Sequence, residues 1–308
     1  MRLAAVDMGS NSTRLLIADL DEHGHLTELV RRATVTRLGT GVDRTGRLDP
    51  AAIDRVTAEL GVIRGLLDEH RVERAVGVLT SAVRDAENGA EFTATVRDEF
   101  GIDAQTIPGE REAALTFRGA TGGRPHEERP VAVVDIGGGS TEFIVGHDGA
   151  AEFSVSTQAG VVRQSERHVR NDPPQHDELV AIAEDARGIY DAAIPADVRA
   201  SVGTVIAVAG TATTCAAILQ ELEPYDPEKV HGSRLSLADV EGLTARLAQM
   251  TEDERREVKG LHPDRAVTIV PGCVLLSVAL RTFGVDECEV SEHDILRGAI
   301  AAAATGDF

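Results

Sequence analysis

Three observations predict an α/β fold built from two related halves. The stretch Val6-Asp7-Met8-Gly9-Ser10-Asn11-Ser12-Thr13-Arg14 is repeated in form by Val134-Asp135-Ile136-Gly137-Gly138-Gly139-Ser140-Thr141-Glu142. Each copy is an apolar run, an Asp, a turn of small residues and a second apolar run, which reads as strand, tight turn, strand. After each copy the chain continues as a third strand and then helices alternating with strands, a β-β-β-α-β-α order. At 308 residues the chain is comfortable as two domains, each large enough to bury its own core.

In chain order, residues 1–20 form a hairpin, Gly24 lies in the next turn, and His25 through Thr36 read as a third strand. Asp49 and Pro50 suit the N-cap and first position of an amphipathic helix running to about Glu69. Ala75–Leu79 is a buried strand ending at Thr80-Ser81-Ala82-Val83-Arg84, which opens a helix, and 88–99 is helical. Ile102–Ile107 returns to the sheet, and Pro108-Gly109-Glu110-Arg111-Glu112-Ala113 opens a helix to about Gly119. A polar loop at 121–128 separates the halves. The second half then predicts a hairpin at 131–146, a strand at 151–157, helices from about 177 to 187, and a strand at 205–209 ending in Gly210-Thr211-Ala212-Thr213. Helices near 236–249, 252–258 and 263–283, a strand at 288–290 and a terminal helix from about His293 complete it.

Composition narrows the function classes. With 42% hydrophobic and 27% charged residues the chain is globular. No apolar run approaches the roughly 20 residues that cross a bilayer, and Met1-Arg2-Leu3-Ala4 leads straight into a strand, so a cytoplasmic protein without membrane partners is expected. A formal charge of −20 argues against nucleic-acid partners. It leaves room for a phosphate site where arginines, backbone amides and a divalent metal reverse the potential locally. Lys229 and Lys259 are the only lysines among 31 basic residues; base composition or salt adaptation accounts for most of that arginine bias, and phosphate recognition for a few. Cys215, Cys273 and Cys288 are odd in number and lack metal spacing, so neither structural zinc nor a disulfide framework is expected, and all three read as packing thiols.

The repeated loops carry the chemical signal. Small residues let backbone N–H groups converge on an anion, and two such loops suggest a cleft that grips a polyphosphorylated ligand from both sides. The first offers Ser10, Asn11 and Ser12 with Arg14 nearby; the second offers the amides of Gly137, Gly138, Gly139, Ser140 and Thr141. Asp135 and Glu142 bracket the second loop as hard oxygen ligands for Mg²⁺. Asp7 is a further candidate for metal or water contact, or the Asp that fixes its hairpin turn. Arg84 follows a strand end, where α/β sheets place ligand contacts, and its guanidinium suits phosphate oxygens; a cap pairing with Asp85 or Glu87 is the alternative.

The duplicated unit with Asp-Gly turns is the plan of the acetate kinase, sugar kinase, heat-shock protein and actin superfamily. Within it the chain closely resembles the exopolyphosphatase and guanosine pentaphosphate phosphatase (Ppx/GppA) family. The matching segments are Asp7–Leu15, Arg37-Leu38-Gly39, Thr80–Ala86, Gly109–Ala113, Asp135–Glu142, Gly210–Thr213 and Leu296-Arg297-Gly298. The resemblance implies a short form with two actin-like domains on mixed five-stranded sheets, one covering 1–120 plus about 293–308 and the other 121–292. It implies a Mg²⁺- or Mn²⁺-dependent phosphohydrolase acting on inorganic polyphosphate, or alternatively on guanosine pentaphosphate, and a homodimer. It places catalytic carboxylates at Asp135 and Glu142 and the general base at Glu112, with Glu110 its near neighbour. Arg297 could contact phosphate or serve only the fold, and His231 and His293 have no ligand-spaced partner. Two other classes remain open: a non-hydrolytic actin-like sensor, which would not need a base beside the cleft, and a sugar or acetate kinase, for which no acceptor pocket is legible.

Overall fold

The computed structural model describes residues 1–22 and 24–308. The chain divides into two compact units, Met1–Gly119 with Ile295–Phe308, and Ala120–Asp294. Among the described residues no helix is long and apolar enough to cross a membrane.

The first unit is built on β1 (Arg2–Met8), β2 (Ser12–Leu20), β3 (Leu26–Val35), β4 (Arg74–Leu79) and β5 (Asp103–Thr106). They lie in the order β3-β2-β1-β4-β5, with β1, β2 and β3 antiparallel and β4 and β5 parallel to β1. Side chains alternate along a strand, and here both faces are covered. Ala4, Val6 and Met8 pack with Leu15, Ile17 and the Pro50–Glu69 helix through Val56, Leu60 and Ile63. Leu3, Ala5, Leu16, Val76 and Val78 pack on the other face with Leu115, Leu296, Ala299 and Ile300. The Asp49 side chain accepts from the amides of Ala51 and Ala52 and Pro50 opens the helix, as the cap residues require.

The second unit repeats this plan. β6 (Val131–Ile136), β7 (Thr141–His147), β8 (Ala150–Thr157), β9 (Thr204–Val208), β10 (Arg234–Ser236) and β11 (Glu287–Val290) lie in the order β10-β11-β9-β6-β7-β8. Removing β10 leaves β8-β7-β6-β9-β11, strand for strand the order of the first unit. The fold is therefore a duplicated actin-like α/β fold with mixed sheets, as the sequence predicts, but the second sheet has six strands and not five. The extra strand pairs antiparallel with β11 through Arg234, Leu235 and Ser236, a run too short to show a period of two. The helices Val161–His168, Ala196–Ser201 and Pro227–Val230 are likewise shorter than a reliable helical period, and the expected 263–283 helix breaks into a 3₁₀ turn, Pro263–Arg265, and the helix Ile269–Phe283.

The terminal helix, Ile295–Thr305, lies on the first sheet and meets the Gly109–Thr121 helix at backbone distance. A Cβ on Gly298 would stand 1.9 Å from the Leu115 carbonyl oxygen. Neither backbone can yield without moving a helix, so we expect Gly298→Ala to destabilise this unit by about 1–3 kcal/mol or more. Denaturant unfolding measures this, and an unchanged midpoint would mean that the two helices are not in backbone contact. The tail adds polar ties: Arg111 Nη2 donates to the Asp307 carbonyl, and Arg111 and Arg118 pair with its carboxylate at 3.3 and 3.8 Å.

Candidate active site

Both small-residue loops close with the same hydrogen bond. Gly9 N–H donates to the Ser12 carbonyl at 3.0 Å, and Gly137 N–H donates to the Ser140 carbonyl at 2.9 Å. In both, a segment that follows the third strand pulls the loop carbonyls back. The amides of Thr36 and Arg37 donate to Asn11 O, and that of Gly39 to Ser10 O. In the second unit the amides of Val161 and Val162 donate to Gly137 O and Gly138 O, and Arg163 Nε donates to Gly139 O at 3.0 Å. With their carbonyls engaged on one side, turns of this kind present amides on the other, the arrangement of an anion nest. Gly160 permits the second contact: a Cβ there would stand 2.4 Å from Gly138 O and from Ser140 N.

The loops differ where they meet their second strands. Asp7 and Arg14 are cross-strand partners, and Arg14 Nη2 and Nε donate to Asp7 Oδ2 at 2.6 and 2.9 Å. At the equivalent place Asp135 and Glu142 are cross-strand partners, so two carboxylates occupy one face with their Cβ atoms roughly 5 Å apart. Like charges so placed destabilise a sheet and suit a hard cation. Ser156 Oγ donates to Glu142 Oε1 at 2.7 Å, which orients that carboxylate. Among the described residues there is no group of three or more His, Cys, Asp or Glu fit to enclose a metal. A pair of carboxylates completed by water and substrate phosphates is how Mg²⁺ is ordinarily held, so the donor set fits such an ion at Asp135 and Glu142. Asp7 is buried and bound to its own arginine, a different environment.

Side chains of both loops have structural work as well. Ser10 Oγ lies 3.0 Å from Ser81 Oγ. Thr141 is fully buried: its hydroxyl donates to Ala159 O and accepts from Tyr190 Oη, and its backbone pairs with Ile136 and Thr157 in the sheet, so it shapes the loop and, against the expectation from sequence, does not offer its amide to a ligand. Tyr190 packs edge-on to Phe143 at 4.6 Å, and burial raises its phenol well above the ordinary value, so it stays protonated as a donor. Asn11 is exposed, while Ser12 and the second-loop residues Gly137 to Ser140 are half-buried.

Arg84 and Glu112 meet within the first unit. Parallel pairing of β4 with β5 brings Leu79 beside Thr106, so the two segments leaving those strand ends run together. Arg84 Nη1 donates to the Ile107 carbonyl at 3.0 Å and to Glu112 Oε2 at 3.3 Å; Asp85 is further off at 3.8 Å. Glu112 lies in the first turn of the Gly109–Thr121 helix, half-buried, whereas Glu110 on the same turn is exposed.

The family model for the Ppx/GppA phosphatase family matches residues 16–302. The chain belongs to the Ppx/GppA phosphatase family. It is 38% identical to exopolyphosphatase 2 of Mycobacterium tuberculosis over 96% of this chain and 97% of that protein. It is 31% identical to the bifunctional 3-dehydroquinate synthase/phosphatase of Fusobacterium nucleatum, over 96% of this chain and 46% of that one. The Ppx/GppA family member of Aquifex aeolicus superposes with a TM-score of 0.86 at 32% identity, covering 100% of this chain and 98% of that one. An exopolyphosphatase from Cytophaga hutchinsonii also gives 0.86, at 30% identity over 99% and 98%.

Several residues of this Ppx/GppA chain carry roles that the sequence did not assign. Arg163 and Tyr190 hold the second loop, and Ser156 orients Glu142; none has a spacing that marks it. Arg297 is occupied by the fold, donating to Leu26 O at 3.1 Å with Glu28 at 3.5 Å. His231 and His293, distant in sequence, stack with ring centres 3.7 Å apart, and Glu292 N–H donates to His231 Nδ1 at 3.4 Å. Cys215 and Cys273 also converge, with sulfurs 3.5 Å apart in the core. Their hydrogen bond and burial push the Cys215 thiol well up, and burial pushes Cys288 up to about 12, which makes these two poor nucleophiles.

Proposed function

We propose that the protein is a divalent-metal-dependent phosphohydrolase that releases terminal phosphate from inorganic polyphosphate. The observation that carries this reading is the facing pair Asp135 and Glu142 at the mouth of a glycine loop whose carbonyls are tied back. Exopolyphosphatase names among the relatives support the substrate class. In this reading Asp135 and Glu142 hold Mg²⁺ or Mn²⁺, which when bound neutralises phosphate charge and polarises the phosphoryl oxygens. The amides of Ser10 to Ser12 in the first unit and of Gly138 to Ser140 in the second each suit non-bridging oxygens, while the Gly137 amide is spent on closing its own loop. Glu112 receives a proton from the attacking water at a carboxylate oxygen. Arg84 spends Nη1 on Glu112 and Ile107 O, which positions the base and leaves its remaining N–H groups for a phosphate oxygen.

Phosphate release from long polyphosphate, tripolyphosphate, guanosine pentaphosphate and ATP, measured side by side with Mg²⁺, tests the proposal. Long polyphosphate is expected to give the highest kcat/KM. A higher value for guanosine pentaphosphate would move the assignment to the other activity that the family name carries, and no release from any of the four would end it. Arg84→Ala is expected to raise KM and lower turnover, each by about tenfold, with Arg84→Lys between the two. Steady-state kinetics unchanged by Arg84→Ala would remove that residue from the phosphate site.

A further inference from the structure

Among the described residues, five other than glycine have positive φ: Arg37, Arg71, Asp148, Ala209 and Glu221. Three have ordinary reasons. Arg71 and Glu221 follow the C-caps His70 and Gln220 of their helices, where a left-handed residue is the usual ending, and Asp148 stands before Gly149 in the β7–β8 turn. Ala209 opens the helix after β9. Arg37, at φ 51°, ends no helix and turns no hairpin. An L-residue with a long side chain is disfavoured there, so the surroundings must impose the conformation.

They do so through the first loop. Arg37 N–H donates to Asn11 O at 2.9 Å, between the bonds Thr36 N–H to Asn11 O and Gly39 N–H to Ser10 O. Arg55 grips the segment from outside, Nε to Thr36 O at 2.8 Å and Nη2 to Arg37 O at 3.4 Å. The backbone of Arg37 is thus strapped to Ser10 and Asn11. Its side chain is exposed and makes no hydrogen bond or ion pair with any described residue. Elsewhere in this unit Arg14 pairs with Asp7 and Arg32 with Glu59, and Arg84 gives Nη1 to Glu112 and Ile107 O. On a chain of net charge −20, a guanidinium beside an anion loop with no acid paired to it among the described residues stands out.

We propose that Arg37 is a substrate contact that binds an internal phosphate of the polyphosphate chain at the first loop. The inference rests on the polyphosphate reading. Water activation is there given to Glu112, so Arg37 is left to bind the chain away from the bond that breaks. A guanidinium fork matches two non-bridging phosphate oxygens.

The test uses Arg37→Asn and Arg37→Gly, both of which accept positive φ and lack the charge, together with Arg37→Lys. For the first two, KM for long polyphosphate should rise about tenfold while kcat stays within about twofold. The dependence of log KM on log salt should become shallower by about 0.7, by analogy with one phosphate contact on a single strand. Calorimetric binding of tripolyphosphate should weaken in parallel, and Arg37→Lys should fall between. Unchanged KM, salt slope and tripolyphosphate affinity would overturn the contact, as would a fall in kcat alone, which would mean that Arg37 only shapes the loop. If the unmodified protein binds and hydrolyses polyphosphate but the variants match it, Arg37 alone is lost. If the unmodified protein does neither, the substrate assignment fails first and takes the contact with it.

Discussion

Glu112→Gln is expected to lower turnover by ~10²–10⁴-fold, the usual worth of general base catalysis, while affinity for polyphosphate is kept or slightly improved. Glutamine preserves size and can still receive the Arg84 hydrogen bond, 3.3 Å in the native protein, so the substitution removes basicity with little change of shape. One negative charge leaves the neighbourhood of a polyanion, so binding should not suffer. Glu110→Gln supplies the contrast: that side chain is exposed on the same helical turn, and its loss should change turnover by only a few-fold. Single-turnover kinetics with direct binding measurements separate these terms. Loss of activity on Glu110→Gln with little effect from Glu112→Gln would move the base two residues upstream. Two near-silent variants would leave the water-activation scheme without its central residue.

Removal of divalent metal should have an effect of similar size. In excess chelator turnover should fall by about 10³-fold or more, and Mg²⁺ or Mn²⁺ should restore it. The cause lies in the pairing of Asp135 with Glu142, where each carboxylate opposes the other and both oppose the incoming phosphates. At a separation of roughly 5 Å such a repulsion is worth about 1 kcal/mol in water-like surroundings and about 3 kcal/mol at an effective dielectric of 20. A second, opposite-signed consequence makes the assignment easy to lose. Asp135→Asn should cut turnover by about 10²-fold or more and yet leave the metal-free protein as stable or slightly more stable, because it relieves a like-charge pair. Thermal unfolding without metal reads the second effect. Full activity in chelator, or a metal-free Asp135→Asn that is markedly less stable, would mean that these carboxylates serve the fold and hold no ion.

The two hairpins were legible because each obeys a local rule. A buried strand, an Asp, a turn of small residues and a second buried strand announce themselves within about fifteen residues, and the copy at 134–142 matches the copy at 6–14 position by position. The exchange of Arg14 for Glu142 at the same place is visible in the sequence too, although its meaning waited on the register that sets Asp7 opposite Arg14 and Asp135 opposite Glu142. Glu112 was readable as part of a helix-opening motif, and Asp49-Pro50 as a helix start. Beyond such local signals lay every feature made by segments far apart in the chain. The strand Arg234–Ser236 is recognisable only beside β11, and Gly298 has its meaning only against the Leu115 carbonyl.

By itself the sequence determined the α/β class, the duplication, the two loops and the residue types able to manage phosphate, because these depend on spacing and chemistry along the chain. Tertiary structure alone decided which of those residues meet. Parallel pairing of β4 and β5 sets Arg84 against Glu112, and the bonds from 36, 37 and 39 turn the first loop's carbonyls back and hold Arg37 beside it. The physical reason is that hydrogen bonds and ion pairs act over about 3 Å, while the partners here stand roughly 25 residues apart in sequence. Only the folded sheet, with strands about 4.8 Å apart, brings them within that reach.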